Sequence, residues 1–114
     1  GTLEQWEADY RFILDASRQA KADLPVVLLD PFVLRSGRLK NEVAWKKWRG
    51  KVDQYCGVVA QLAKDYDAIH VKTQEVFDAA AKAVSPEQWI WDGVHPLPQG
   101  HELIARNWLQ QVSD

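Results

Sequence analysis

The chain has 114 residues, 46% of them hydrophobic and 26% charged, with a formal net charge of -2 and a single cysteine. This is the balance of one ordinary globular domain with no room for two, and the near-neutral charge supplies no bulk field for nucleic acid or an anionic membrane surface. The longest apolar run, about five residues around Val26 to Leu29, falls far short of the roughly 20 that span a bilayer, and the lone Cys56 excludes an internal disulfide while leaving the redox compartment open.

The sequence opens at Gly1-Thr2 and contains no methionine. It therefore reads as a piece of a larger protein, and its localisation is not legible from it. Thr2 followed by Gln5 fits a capping box, and Leu3, Trp6, Tyr10, Ile13 and Ser17 recur at spacings of three and four, which predicts an amphipathic helix over about residues 3–22. Leu24 to Asp30 is an aliphatic run without polar alternation, as expected of a strand buried on both faces of a parallel sheet. Pro31 to Lys40 is irregular and lies just past that strand, where open α/β sheets place their ligands.

Asn41 is a candidate cap for a long helix whose apolar face carries Trp45, Trp48, Val52, Tyr55, Val59 and Leu62. Lys46, Lys47, Arg49 and Lys51 on the opposite side interleave with tryptophans, but Glu42 and Asp53 share that side, so it reads as a solvated face and not as a nucleic-acid surface. A second short strand is predicted at Tyr66 to Val71 and a helix from Thr73 to Val84. A last helix over about residues 99–112 is expected to bury Ile104, Trp108, Leu109 and Val112. Strands alternating with helices give βαβ logic, and two strands alone leave an apolar edge that calls for strands from elsewhere or for a second copy of the chain.

The chemistry concentrates in Trp89-Ile90-Trp91-Asp92-Gly93-Val94-His95-Pro96. Pro96 biases His95 away from the helical region and Gly93 allows the backbone to bend, so a turn can bring the Asp92 carboxylate to one nitrogen of the His95 ring. The other nitrogen is then free to take a proton, which is the acid and base half of a catalytic triad. Trp89 and Trp91 are expected on one side of the segment, one packing and one at the rim, with Ile90 on the other. A metal site from Asp92, His95, His101 and Glu102 has the right donor types but no recognised spacing. His70 and His101 read as structural, and Cys56 has no partner that would make it a nucleophile.

From Asp92 through Pro96, Gly100 and His101 to Ala105, the sequence resembles the last block of the SGNH, or GDSL-type, serine hydrolases. The resemblance implies an α/β chain forming the C-terminal half of a three-layer α/β/α, flavodoxin-like domain over residues 1–114. It also implies Asp92 as orienting acid and His95 as general base, with no cofactor and no metal. The family's Gly-Asp-Ser block and its Gly-x-Asn-Asp block are absent; Ser17, Ser36, Ser85 and Ser113 stand in no such context, nor do Asn41 and Asn107. The expectation is a C-terminal part of an ester hydrolase, inactive by itself, acting with an N-terminal half or a second copy on acetylated carbohydrate or a short acyl ester. The other reading is a non-catalytic binding or assembly module on the same fold.

Overall fold

The computed structural model describes residues 2–113, the Ser113 side chain excepted. Helix α1 (Leu3–Ala20) starts where Thr2 Oγ1 accepts the Gln5 amide at 3.0 Å, while the Gln5 side chain turns outward to Asp9, so only half of the expected capping box forms. Its inner face runs through Trp6, Tyr10 and the buried Leu14; Ile13 is exposed, one position off the predicted stripe. Arg18 closes the helix against the strands, donating to Leu24 O and to Tyr66 O.

Strand β1 (Val27–Leu29) pairs in parallel with β2 (Ile69–Val71), Leu28 opposite His70. Both strands are shorter than their apolar runs predict. Only three residues of each find register, with Asp30 N donating to Val71 O and Ile69 N to Val26 O at either end. Leu29, expected inside, is exposed, on the sheet face opposite the buried Leu28. The crossover between them is the 24-residue helix α2 (Glu42–Asp65), capped by Asn41 Oδ1 on the Ala44 amide at 3.0 Å.

Val52, Val59 and Leu62 of α2 are buried as its periodicity predicts, but Trp48 is 44% exposed. Arg49 departs from the solvated face: it forks onto both carboxylate oxygens of Asp78 at 2.7 and 2.8 Å, joining α2 to α3 (Thr73–Ala83). Helix α4 (Pro98–Ser113) packs on α3 and β2; Leu103 and Ile104 join the cluster of Leu34, Phe77 and Ile90, and Asn107 is buried. Trp108 and Leu109, predicted to be buried, face outward.

The interior is divided among three small clusters: Leu14, Leu28, Val59 and Leu62 under α1 and α2; Val33, Leu39 and Val52 beneath the rim; and Leu34, Phe77 and Ile90 between α3 and α4. The chain is a slab of 43 × 33 × 18 Å with a radius of gyration of 15.3 Å, against about 13 Å for a compact domain of this length. No helix among the described residues is long and apolar enough to cross a membrane. This arrangement is a partial α/β fold, mostly helical around a short parallel sheet.

Candidate active site

Asp92 and His95 lie in a closed loop between α3 and α4. An isolated antiparallel bridge joins Ile90 to Pro96, and Leu97 N donates to Trp89 O at 2.8 Å, so the seven residues from Ile90 to Pro96 form one turn-rich lobe. Gly93 sits at φ +95°, where a side chain is strained, and a Cβ there would come within 2.6 Å of Leu39 Cδ1. The turn brings one carboxylate onto three donors. Asp92 Oδ1 accepts the amides of Val94 at 3.0 Å and His95 at 2.7 Å, and Oδ2 is hydrogen-bonded to His95 Nδ1.

The two side chains differ sharply in exposure: Asp92 is 14% accessible and His95 77%. The His95 amide first of all, with the imidazole and the Val94 amide adding to it against some burial, holds the Asp92 carboxyl well below the usual carboxylate range. Asp92 is thus an ionised acceptor at neutral pH. It favours the proton on Nδ1 of the neutral ring and leaves Nε2 outward as the basic nitrogen.

The irregular stretch after β1 holds this lobe. Leu34 N donates to Gly93 O at 3.0 Å, Ser36 Oγ donates to Ile90 O, and Lys40 pairs with Glu87 at 2.6 Å. Gly37, at φ +54°, lies so close to the lobe that a Cβ would stand 2.6 Å from Asp92 Cα. The position of this rim was legible from the strand before it, but the partners were not. Ser36 and Ile90 are 54 residues apart and no spacing links them.

Of the two tryptophans, Trp89 packs, its indole N–H shared between Ala80 O and Val84 O at 3.2 Å each, while Trp91 is 61% exposed beside the acid and Ile90 is fully buried. The other polar candidates are engaged elsewhere. Ser36 is fully buried under Ile90 O, and Ser17 donates to Ile13 O. His70 Nε2 bonds Asp30 Oδ1 at 2.6 Å across the two strands, a pair that sequence reasoning missed because it needs the strand register. Burial pushes the Asp30 carboxyl up, and pushes the Cys56 thiol up to about 12, with its Sγ against Pro31 O at 3.4 Å. Glu102 turns to Arg106 at 2.8 Å, away from any shared site with Asp92 and His95, and His101 is exposed on α4. Among the described residues no three His, Cys, Asp or Glu side chains are grouped to hold a metal ion.

No protein-family model matches the chain. An acetylxylan esterase from Geobacillus stearothermophilus is 32% identical over 111 residues, which is 96% of this chain and 47% of that one. Among solved structures, a protein described as a GDSL-like lipase from Parabacteroides merdae superposes with a TM-score of 0.88 at 31% identity, covering 99% of this chain and 50% of its own. The Geobacillus acetylxylan esterase Axe2 superposes with a TM-score of 0.80 at 28% identity, covering 99% and 48%. Structures exist of catalytic mutants of that esterase at a serine, an aspartate and a histidine, the last two three residues apart. The chain spans about half the length of these relatives. In sequence and in fold it is similar to GDSL-type, or SGNH, hydrolases, over a stretch that matches the C-terminal half of those relatives.

Proposed function

We propose that residues 1–114 supply the acid and base of a Ser-His-Asp triad to a carboxylic ester hydrolase, with Asp92 as orienting acid and His95 as general base. The observation that carries this reading is the threefold grip of one ionised carboxylate on the His95 backbone, the Val94 amide and Nδ1, which leaves the rest of the imidazole open to solvent. The same acid-x-x-base spacing in the catalytic mutants of the Geobacillus esterase supports it. In the reaction a serine from the complementing half attacks the ester carbonyl, His95 Nε2 takes the hydroxyl proton and returns it to the leaving alcohol, and Asp92 stabilises the imidazolium between these steps.

The substrate class we infer is an acetylated carbohydrate or another short acyl ester, following the acetylxylan and acetyl-xylooligosaccharide esterases to which the chain is similar. By itself the chain is expected to be inactive. A base contributes about 10²- to 10⁴-fold only when a hydroxyl stands within hydrogen-bond reach. Ser36 and Ser17, the nearest candidates by chemistry, spend their hydroxyls on backbone carbonyls. The complement we infer is an N-terminal half, or a second copy of the chain, meeting the open side of β1.

The test is hydrolysis of p-nitrophenyl acetate and of acetylated xylooligosaccharide, by this chain alone and by the chain joined to an N-terminal half of the same fold. Turnover is expected only in the joined form and only with His95 intact. Ester hydrolysis by the 114 residues alone that His95→Ala abolishes would overturn the division of labour. Full activity of His95→Ala in the joined form would overturn the role of the base.

A further inference from the structure

Gln74 touches neither Asp92 nor His95, but it is bonded to the rim segment that abuts their loop. Gln74, 3% exposed in the first turn of α3, turns its amide onto the backbone of Val33 in the rim: Oε1 accepts Val33 N at 2.7 Å and Nε2 donates to Val33 O at 2.9 Å. The pair of bonds copies the way an adjacent strand would pair with Val33, at a place where the described residues offer no strand. The second Nε2 proton goes to Asp78 Oδ1 at 3.0 Å, and Asp78 is gripped by the Arg49 fork. That third bond sets which way round the amide stands, since a flipped amide would face a carboxylate with its oxygen.

The rim beyond Val33 then bears directly on the lobe. Leu34 N, the next amide, donates to Gly93 O; Ser36 Oγ reaches Ile90 O; Gly37 abuts Asp92 Cα. We propose that Gln74 is a positioning residue for the Asp92–His95 pair, acting through the Val33–Leu34 backbone, with the Arg49–Asp78 pair as its anchor. The proposal rests on the acid–base reading above only for its effect on turnover; the mechanical linkage is independent of it.

Gln74→Met keeps the length and apolar bulk of the side chain and removes its three hydrogen bonds, leaving a buried amide and carbonyl of Val33 without partners. Amide hydrogen exchange of the 114-residue chain is expected to accelerate about tenfold or more at Leu34, Val94 and His95. Leu14 and Val59, under α1 and α2, are expected to keep their rates. The Asp92 carboxyl, followed by carbon NMR, is expected to rise toward the ordinary value of about 3.9 as the His95 amide loosens. A purely structural Gln74 would not move that titration ahead of global unfolding; the ionisable groups near Asp92, His95 in contact with it and Arg38 lining the same surface pocket, are unchanged by the substitution.

Arg49→Met is expected to give the same pattern with smaller amplitude, and it decides the matter if Gln74→Met does not fold. A folded variant with unchanged exchange at Leu34 and His95 overturns the proposal, and so does uniform acceleration at all amides. In the joined enzyme, Gln74→Met is expected to lower kcat and leave KM near its original value. Loosened loop amides in a joined protein with no esterase activity would refute the esterase reading while leaving the role of Gln74 standing.

Discussion

Replacing Asp92 by asparagine separates two tasks that the carboxylate performs together. Oδ1 holds the turn by accepting Val94 N at 3.0 Å and His95 N at 2.7 Å, and an amide oxygen can accept both bonds unchanged. Oδ2 is hydrogen-bonded to His95 Nδ1, which on the proposed reading orients the base, and in asparagine its place is taken by an NH2 group that can only donate. His95 Nδ1 must then accept, so the ring proton moves to Nε2, the nitrogen that has to take the proton of the attacking hydroxyl. The turn survives and the base is in the wrong tautomer. Turnover in the joined enzyme is expected to fall roughly 10⁴-fold, the loss seen when a triad keeps its geometry but loses its tautomer.

The same substitution can be read in the 114-residue chain without any activity. Long-range proton–nitrogen NMR, at a pH above the ordinary histidine value of about 6.5, is expected to place the proton on Nδ1 in the parent chain and on Nε2 in Asp92→Asn. The Val94 and His95 amide signals should stay put. The pH dependence follows from the depressed Asp92 carboxyl, held down first by the His95 amide. A group whose folded value lies below its unfolded one contributes stability that is complete above the unfolded value, about 3.9, and is lost as pH falls through the folded value. The parent lobe is therefore expected to open in acid by a component that Asp92→Asn lacks. Identical tautomers in the two chains, or collapse of the lobe in the variant, would refute the reasoning.

Further substitutions probe the supports. Gly37→Ala forces φ +54° on a residue with a Cβ and drives that atom to 2.6 Å from Asp92 Cα and 2.9 Å from Trp91 O. We expect a loss of about 1–3 kcal/mol, with amide shifts centred on residues 91–95, and spectra unchanged there would contradict the contact. Phe77→Ala empties a fully buried site between Leu34 and Ile90, and urea denaturation is expected to register a loss of about 3–5 kcal/mol. Asp30→Asn tests the buried strand pair. Burial raises the Asp30 carboxyl in the folded chain, so its contribution to stability is complete below the unfolded value and lost as pH rises through the folded one. Relative to the parent, Asp30→Asn should gain stability as pH climbs from acid toward neutrality; a difference that does not change with pH would show that His70 cancels the cost of burial.

What the sequence discloses about this site is what lies close together in it. Asp92, Gly93, His95 and Pro96 fall within five residues, and their joint geometry is settled by one turn, so the carboxylate–imidazole pair and its bend are legible from residue types alone. Helix α2 is legible for the same reason, through the Asn41 cap and the recurrence of Val52, Val59 and Leu62. The rest depends on register. Leu14 replaces Ile13 on the face of α1 because the approach of α2, through Val59 and Leu62, decides which of two adjacent apolar residues is covered. The strands end early because pairing, and not hydrophobicity, defines a strand: Leu24 and Pro25 have no partner opposite them. The bonds from Gln74 to Val33, Arg49 to Asp78 and Ser36 to Ile90 span 41, 29 and 54 residues, and no local pattern encodes them.

These long-range bonds give the proposed division of the triad its physical sense. Orienting a base demands that its ring, its acid and the backbone beneath both stay fixed before substrate arrives. In this chain that fixing is local to the rim and the lobe: the carboxylate is saturated by three donors, the lobe is tied to the rim at Leu34 and Ser36, and the rim is tied through Gln74 to α2 and α3. None of these bonds crosses the open side of β1. A complementing half, on the proposed reading, needs to bring only a hydroxyl and the donors for the oxyanion to an imidazole that is already aimed. Joining the halves should therefore leave the Asp92–His95 hydrogen bond as it stands, and a His95 ring whose Nδ1 signal shifts on joining would mean that the pair is assembled by the partner and not by this chain.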